Sequence, residues 1–219
     1  MSSTKEGRNN MAEHQLAAPE LEGVEIHGTT RGAFIARGAI AASAVYGLSA
    51  VTPFVSQALA QSGGGDVAIL NYALTLEYLE AAFYKDAQAK VKLSGQAKSL
   101  AKEFGDQEAE HVKALTTAIK SAGGKPVKSP TFAFPIKDQK SFLKLAQTLE
   151  DTGVSAYNGA APMIKGAAVL GAAGSIVQVE ARHAAAIRIL NGQPPAPTGF
   201  DKTLSKNQVL AAVKPLIKA

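Results

Sequence analysis

Glu180-Ala181-Arg182-His183 is a second copy of Glu108-Ala109-Glu110-His111, and this duplication constrains the chain more than any other feature. Each copy sets a carboxylate and an imidazole three residues apart. A helix turns that spacing onto one face, roughly 5–6 Å apart at Cβ. The duplication extends further. Ala73-Leu74-Thr75-Leu76-Glu77 recurs as Ala146-Gln147-Thr148-Leu149-Glu150, and a tyrosine follows each glutamate by seven residues, Tyr84 after Glu77 and Tyr157 after Glu150. The offset is 73 residues from Glu77 to Glu150 and 72 from His111 to His183. The second half therefore repeats the first as helix–loop–helix, with its chemistry at matching positions.

Periodicity places these residues on helices. Ile69, Ala73, Leu76, Glu77, Glu80 and Tyr84 fall at steps of 4, 3, 1, 3 and 4. They form one face of a helix over 66–91, which Asp66 is placed to cap. A second helix spans 96–122, with Leu100, Phe104, Glu108, His111 and Leu115 on one face and Gly123-Gly124 as its stop. Residues 123–138 hold Pro126, Pro130 and Pro135. That segment is no helix and is long for a turn, so it carries the chain from one end of a bundle to the other. A third helix at 138–161 repeats the steps of the first through Phe142, Ala146, Leu149, Glu150, Gly153 and Tyr157. A fourth fits 167–191, with Ile176, Glu180, His183 and Ile187 inward and Gly192 at its end. Pro194, Pro195 and Pro197 make an extended tail, and Ser205 with Gln208 forms a capping box for a short last helix at 207–218, interrupted by Pro215. There is no strand signal of any strength. The fold class is all-α: four helices, a long crossover between the second and third, and a short C-terminal helix.

The ends divide the chain. Residues 1–29 are polar and irregular, with five acidic residues, and His14 and His27 there carry no assignment. Thr30-Arg31-Gly32-Ala33-Phe34-Ile35-Ala36-Arg37 then leads into 38–51, which has no charge and is mostly Ala, Val, Ile and Leu. Ala58-Leu59-Ala60 follows before Gln61. A basic segment, a short apolar run and an Ala-x-Ala site make a secretory signal. The run is too short for a membrane span, which needs about 20 residues; the alternative is an N-terminal core helix. The reading is thus an extension and export signal over 1–60, a linker over 61–65, the bundle over 66–193 and a Pro-rich tail over 194–219. With no cysteine in the chain, disulfides, thiolate metal sites and cysteine nucleophiles are excluded. The lysines are scattered rather than clustered, which reads as a solvated basic surface and not as a nucleic-acid groove.

The inward carboxylates set the chemistry. Glu77, Glu108, Glu150 and Glu180 stand where the periodicity puts the core, with His111 and His183 and no inward lysine or arginine. An unpaired buried charge costs several kcal/mol even after relaxation. Two divalent cations balance four carboxylates, and carboxylate with imidazole suits iron or manganese. Glu80 is also inward by period, yet its repeat mate is Gly153. It is a candidate extra ligand, a replacement for Glu77, or a polar residue at the bundle edge. Glu103, Glu110 and Asp151 read as solvated. Tyr84 and Tyr157 read either as neighbours of the site or as core aromatics with a hydroxyl partner.

On these six residues the chain resembles the ferritin-like four-helix bundles, bacterioferritin and rubrerythrin among them, and in particular the exported bacterial ferritin-like domain proteins. The resemblance covers residues 66–191. It implies that Glu77 and His111 are terminal ligands of one metal, that Glu150 and His183 hold the other, and that Glu108 and Glu180 bridge. It implies Tyr84 and Tyr157 beside the site, and two iron ions, or manganese, as cofactor. The export segment is similar to a twin-arginine signal, with Gly32 standing where the second arginine belongs.

Two functions follow from this reading. The first is a redox enzyme in which two metal ions react with O2 or peroxide, as a ferroxidase, oxidase or peroxidase. The second is a non-catalytic metal-binding structural or stress protein of the desiccation-associated type. The expected partners are metal ions and O2 or peroxide, with no nucleic acid and no transmembrane span in the mature chain; homo-oligomerisation is left open. The expected location is the periplasm, cell wall or extracellular space. Intact mass of protein from the native host is expected to give a chain starting at Gln61; a mature chain beginning near Met1 refutes the export reading.

Overall fold

The structure, a computed structural model, describes residues 64–218. The export signal, its Ala58-Leu59-Ala60 site, His14 and His27 lie outside the described residues. Four long helices dominate: α1 Gly64–Lys90, α2 Gly95–Ser121, α3 Gln139–Ala160 and α4 Ala167–Leu190. A short α5, Lys206–Val213, runs into a 3-10 turn at Lys214–Leu216. The expected boundaries agree to within two residues, except that the last helix gives way to the 3-10 turn where Pro215 removes a backbone donor. No helix among the described residues is long and apolar enough to cross a membrane.

Local chemistry starts and stops these helices. Asp138 accepts from Ser141 N at 2.8 Å while Ser141 Oγ accepts from Asp138 N at 3.1 Å, a reciprocal cap for α3. Ser205 and Gln208 form the same device before α5. Gly123 ends α2 at φ +72°, a conformation that side chains resist. Asp66 behaves differently from the sequence reading. It lies inside the first turn of α1 rather than ahead of it, and its fully buried carboxylate accepts from Lys165 N at 3.0 Å and Gly166 N at 2.8 Å. Gly166 is the N-cap of α4, so Asp66 caps the fourth helix, where unpaired amides and the helix dipole favour an anion.

This clamp fixes helix direction. α1 and α4 begin at the same end of the bundle. Asn71 Nδ2, on α1, donates to Lys125 O at 3.2 Å just beyond α2, so α2 ends there too. Ser94 N donates to Gln139 Oε1 at 2.9 Å, so α2 and α3 both begin at the far end. α1 packs chiefly on α2 and α3 chiefly on α4, and the two hairpins meet through α1–α3 and α2–α4. The crossover must run the length of the bundle. It is held there by the C-terminal tail: Ala133 N donates to Leu216 O and Lys218 N to Thr131 O, each at 2.9 Å. The tail in turn lies on α3, where Leu204 N donates to Ser155 O at 3.0 Å. A Cβ on Gly159 would come within 2.0 Å of Leu204 O, so a side chain there would exclude the tail.

The core has two apolar layers. One gathers Phe83, Phe104, Phe142, Leu79 and Ile187, with α5 residues Val209 and Val213. The other gathers Leu74, Leu115, Ile119, Tyr157, Val169 and Ile176. Full burial of a Leu, Ile or Phe side chain contributes about 1.5–3 kcal/mol each. That stabilisation is what offsets a polar layer between them.

The Asp66 clamp carries a measurable prediction. Asp66→Ala leaves one buried and one part-buried backbone donor without an acceptor and is expected to lower stability by about 1–3 kcal/mol, read as a fall in the urea midpoint. A loss under about 0.5 kcal/mol, the scale of an ordinary surface change, contradicts the clamp.

Candidate metal centre

Each long helix brings its carboxylate to the middle of the bundle because the repeat fixes its register. Glu77 on α1, Glu108 on α2, Glu150 on α3 and Glu180 on α4 are all fully buried, and His183 is 1 % exposed. His111 is the one partly open member, at 12 %. The six fall into two overlapping groups. Glu77, Glu108, His111 and Glu180 offer ligand atoms that all lie within 4.8 Å of one another, and so do Glu108, Glu150, Glu180 and His183. Glu108 and Glu180 belong to both.

Both imidazoles present Nδ1 to the carboxylates. His111 Nδ1 lies 3.1 Å from Glu77 Oε2, Glu108 Oε2 and Glu180 Oε1. His183 Nδ1 lies 2.9 Å from Glu108 Oε1 and 3.4 Å from Glu150 Oε2. Several of these approaches are close without being directed as hydrogen bonds. Glu108 Oε1, Glu150 Oε2, both oxygens of Glu180 and His183 Nδ1 are buried with no hydrogen-bond partner. Buried polar atoms are nearly always paired. Five unpartnered polar atoms converging on one point fit the demands of a cation. Among the described residues, the ion-pair partners of these carboxylates are the two histidines and no lysine or arginine.

The outer atoms are held by neighbours. Tyr84 Oη donates to Glu150 Oε1 and Tyr157 Oη donates to Glu77 Oε1. Each tyrosine thus reaches the carboxylate of the other half. His183 Nε2 donates to Gln107 Oε1 at 2.6 Å, which leaves Nδ1 for the site, the arrangement typical of a ligand histidine. Phe104 stacks on the same ring at 3.9 Å. Gln107 and Phe104 escaped the sequence reading in these roles. Gln107 is off the inward face and its repeat mate is Val179, so the duplication gave no signal for it.

Glu80 is 3 % exposed, which removes the bundle-edge reading, and Glu77 is itself in place, which removes the replacement reading. Glu80 stands outside both groups but next to Glu180: a Cβ on Gly153 would lie 3.0 Å from Glu80 Oε1 and 3.3 Å from Glu180 Oε2. The bare glycine on α3 makes room for the extra carboxyl from α1. Asp151 also departs from expectation. It is half-buried rather than solvated, and it pairs with Arg188 Nη2 at 2.6 Å.

Burial governs protonation in the metal-free protein. It pushes Glu77 up to about 7 against the pull of His111, and it raises Glu150 despite His183. Burial and the repulsion of neighbouring carboxylates push Glu80 and Glu180 well above the usual carboxylate range. Burial lifts both tyrosine hydroxyls, helped by the carboxylates they face. Glu108 goes the other way. Burial would raise it, but the hydrogen bond from His111 and the close approach of His183 hold it down at about 2. Burial would lower the histidines, but their carboxylate neighbours raise His111 well above its usual value and His183 to about 10. The sequence reading balanced the carboxylates with metal ions alone and assigned the histidines no charge. The structure makes them the internal cations of the metal-free site.

An all-helical bundle with paired carboxylate and imidazole groups at its centre defines the class. A family model described as a ferritin-like domain matches residues 65–193, and the chain belongs to that family. No curated protein matches the chain.

The protonation pattern sets a pH dependence. Glu77 has a folded value of about 7 against 4.5. Its contribution to stability is complete below 4.5 and is lost as pH rises through 7. His183, at about 10 against 6.5, contributes fully below 6.5 and loses that contribution as pH rises through 10. Glu108 opposes only in acid, losing its contribution as pH falls toward 2. Chelator-treated protein is therefore expected to melt at progressively lower temperature from roughly pH 5 to 10. A flat melting temperature across that range contradicts the buried, mutually charged site.

Proposed function

We propose that the bundle is an exported protein that holds two metal ions, iron or alternatively manganese, and that it works as a redox centre toward O2 or peroxide. The observation that carries the reading is the sharing of Glu108 and Glu180 between two four-residue ligand groups. Glu77 and His111 would hold one ion and Glu150 and His183 the other, with Glu108 and Glu180 available to both. Hard carboxylate oxygens with imidazole nitrogen suit iron and manganese better than soft-ligand metals. When bound, two ferrous ions supply two electrons, which with two protons convert dioxygen to hydrogen peroxide.

The protein's own groups have definite tasks in this reading. Tyr84 and Tyr157 hold the outer oxygens of Glu150 and Glu77, which aims the remaining oxygens inward. Gln107 fixes the His183 ring with Nδ1 inward. His111 and His183 surrender their protons on metal uptake, and so do the protonated glutamates. Affinity therefore rises with pH and loading releases protons. The two apolar layers exclude water from either side. Glu80 supplies a further carboxyl beside Glu180 and is the candidate extra ligand.

Metal analysis tests this directly. Wild type is expected to hold two ions per chain, and Glu108→Ala/Glu180→Ala to lose both. Adding Fe2+ or Mn2+ at a hundredfold excess over Kd is expected to stabilise wild type by about 2.7 kcal/mol and the double variant not at all. Full occupancy in the double variant would sink the ligand assignment.

A further inference from the structure

The two repeat-related tyrosines have unlike surroundings. Tyr84 is backed by aromatic rings: Phe83 at 5.2 Å, Phe104 at 5.9 Å and Phe142 at 6.0 Å between centroids. Tyr157 is backed by a part-open apolar cavity of about 40 Å³ that draws on all four long helices. The repeat explains the difference. At the 73- and 72-residue offsets, Phe83 matches Ala156, Phe104 matches Ile176 and Phe142 matches Ile69. All three smaller residues line the cavity. One side of the polar layer is plugged by three phenylalanines, and on the other side smaller residues stand in their places.

The cavity lies one turn of helix from the metal centre. Ala73 in its wall is four residues before Glu77, Leu115 four after His111, and Ile176 four before Glu180. Tyr157 closes the inner side, and its hydroxyl is turned away to Glu77. The exposed wall is carbon throughout. A single water needs roughly 10–15 Å³ and two to four polar partners. The cavity has the space for more than that, and its wall exposes no polar surface, the Tyr72 hydroxyl among the lining residues being buried. Hydrogen peroxide entering it would give up hydrogen bonds to water with nothing in return. A cation would find no ligand.

We infer that this cavity is a holding site for a small apolar molecule, dioxygen, next to the Tyr157 side of the metal centre. The inference rests on the di-metal redox reading and narrows its oxidant to O2 over peroxide. Dioxygen fits the volume and makes no demand for hydrogen bonds. The loss of the aromatic plug on one side only makes the delivery one-sided.

Xenon is the probe for the cavity itself, because it is apolar, needs no metal and is visible in pressurised crystals. Xenon is expected in wild type behind Tyr157 and absent from Ala156→Phe, which restores the repeat-mate ring. Wild type without xenon there overturns the inference. The second arm loads wild type and Ala156→Phe with Fe2+ under anaerobic conditions, measures metal content, and mixes each with O2 or with peroxide. The variant is expected to keep its metal, react several-fold more slowly with O2 and be unchanged with peroxide. Unchanged O2 kinetics, or equal slowing with both oxidants, overturns the assignment to dioxygen. Should Ala156→Phe fail to fold, Ile176→Phe is the smaller addition and serves the same two arms. Wild type that takes up no metal fails the di-metal reading, and the xenon result then decides the cavity alone.

Discussion

The structure depends on keeping carboxylates inside a bundle. Glu77, Glu80, Glu108, Glu150 and Glu180 all sit in the polar layer between two apolar ones. Isolated charges there would each cost several kcal/mol. Three devices reduce that cost. Two imidazoles lie close enough to become cations, two tyrosine hydroxyls donate to the outermost oxygens, and burial keeps protons on Glu80 and Glu180. Each device is reversible: an imidazole or carboxyl can lose its proton and a hydroxyl can turn away. The same contacts that make the polar layer tolerable are therefore the ones a bound cation would replace.

The rest of the fold serves this layer by fixing helix register. The carboxylates meet only if no helix slides by a turn, which would move a ligand by about 5.4 Å. Asp66 pins the start of α4 to the first turn of α1, Asn71 ties α1 to the segment after α2, and Ser94 ties the first loop to the start of α3. The crossover, which could otherwise lie anywhere along the bundle, is held by backbone pairing with the tail. These ties lie far from the site and act on it only through position.

Much of this was legible in the sequence, and for a specific reason. The duplication fixes the register twice, so Glu77 and Glu150, or His111 and His183, confirm one another in a way that a single periodic segment does not. The helices and the inward placement of the six residues followed from it. What was not legible lay where the repeat is silent or broken. Gln107 has no counterpart. Asp66 was read as a local cap because its acceptor role is satisfied a hundred residues away. Asp151 looked like surface charge, since nothing in its neighbourhood announces the pairing with Arg188 across α3 and α4. The histidine charge was missed because it depends on distances to several carboxylates at once. The ferritin-like resemblance agrees with the family match over 65–193.

The fit of Glu80 against Gly153 also bears on why the two halves share one chain. Two identical two-helix molecules, associated about a two-fold axis, would reproduce the exchange in which each tyrosine serves the other half's glutamate. They could not reproduce this fit. With glutamate in both halves, each extra carboxyl would arrive where its neighbour already stands, 3.0 Å from a position now left without a side chain. With glycine in both halves, the fifth carboxyl would vanish. Covalent fusion frees matched positions to differ, and a pocket on one side can then receive a side chain from the other. The linkage between the halves thereby allows an asymmetry that a homodimer is forbidden by symmetry to have.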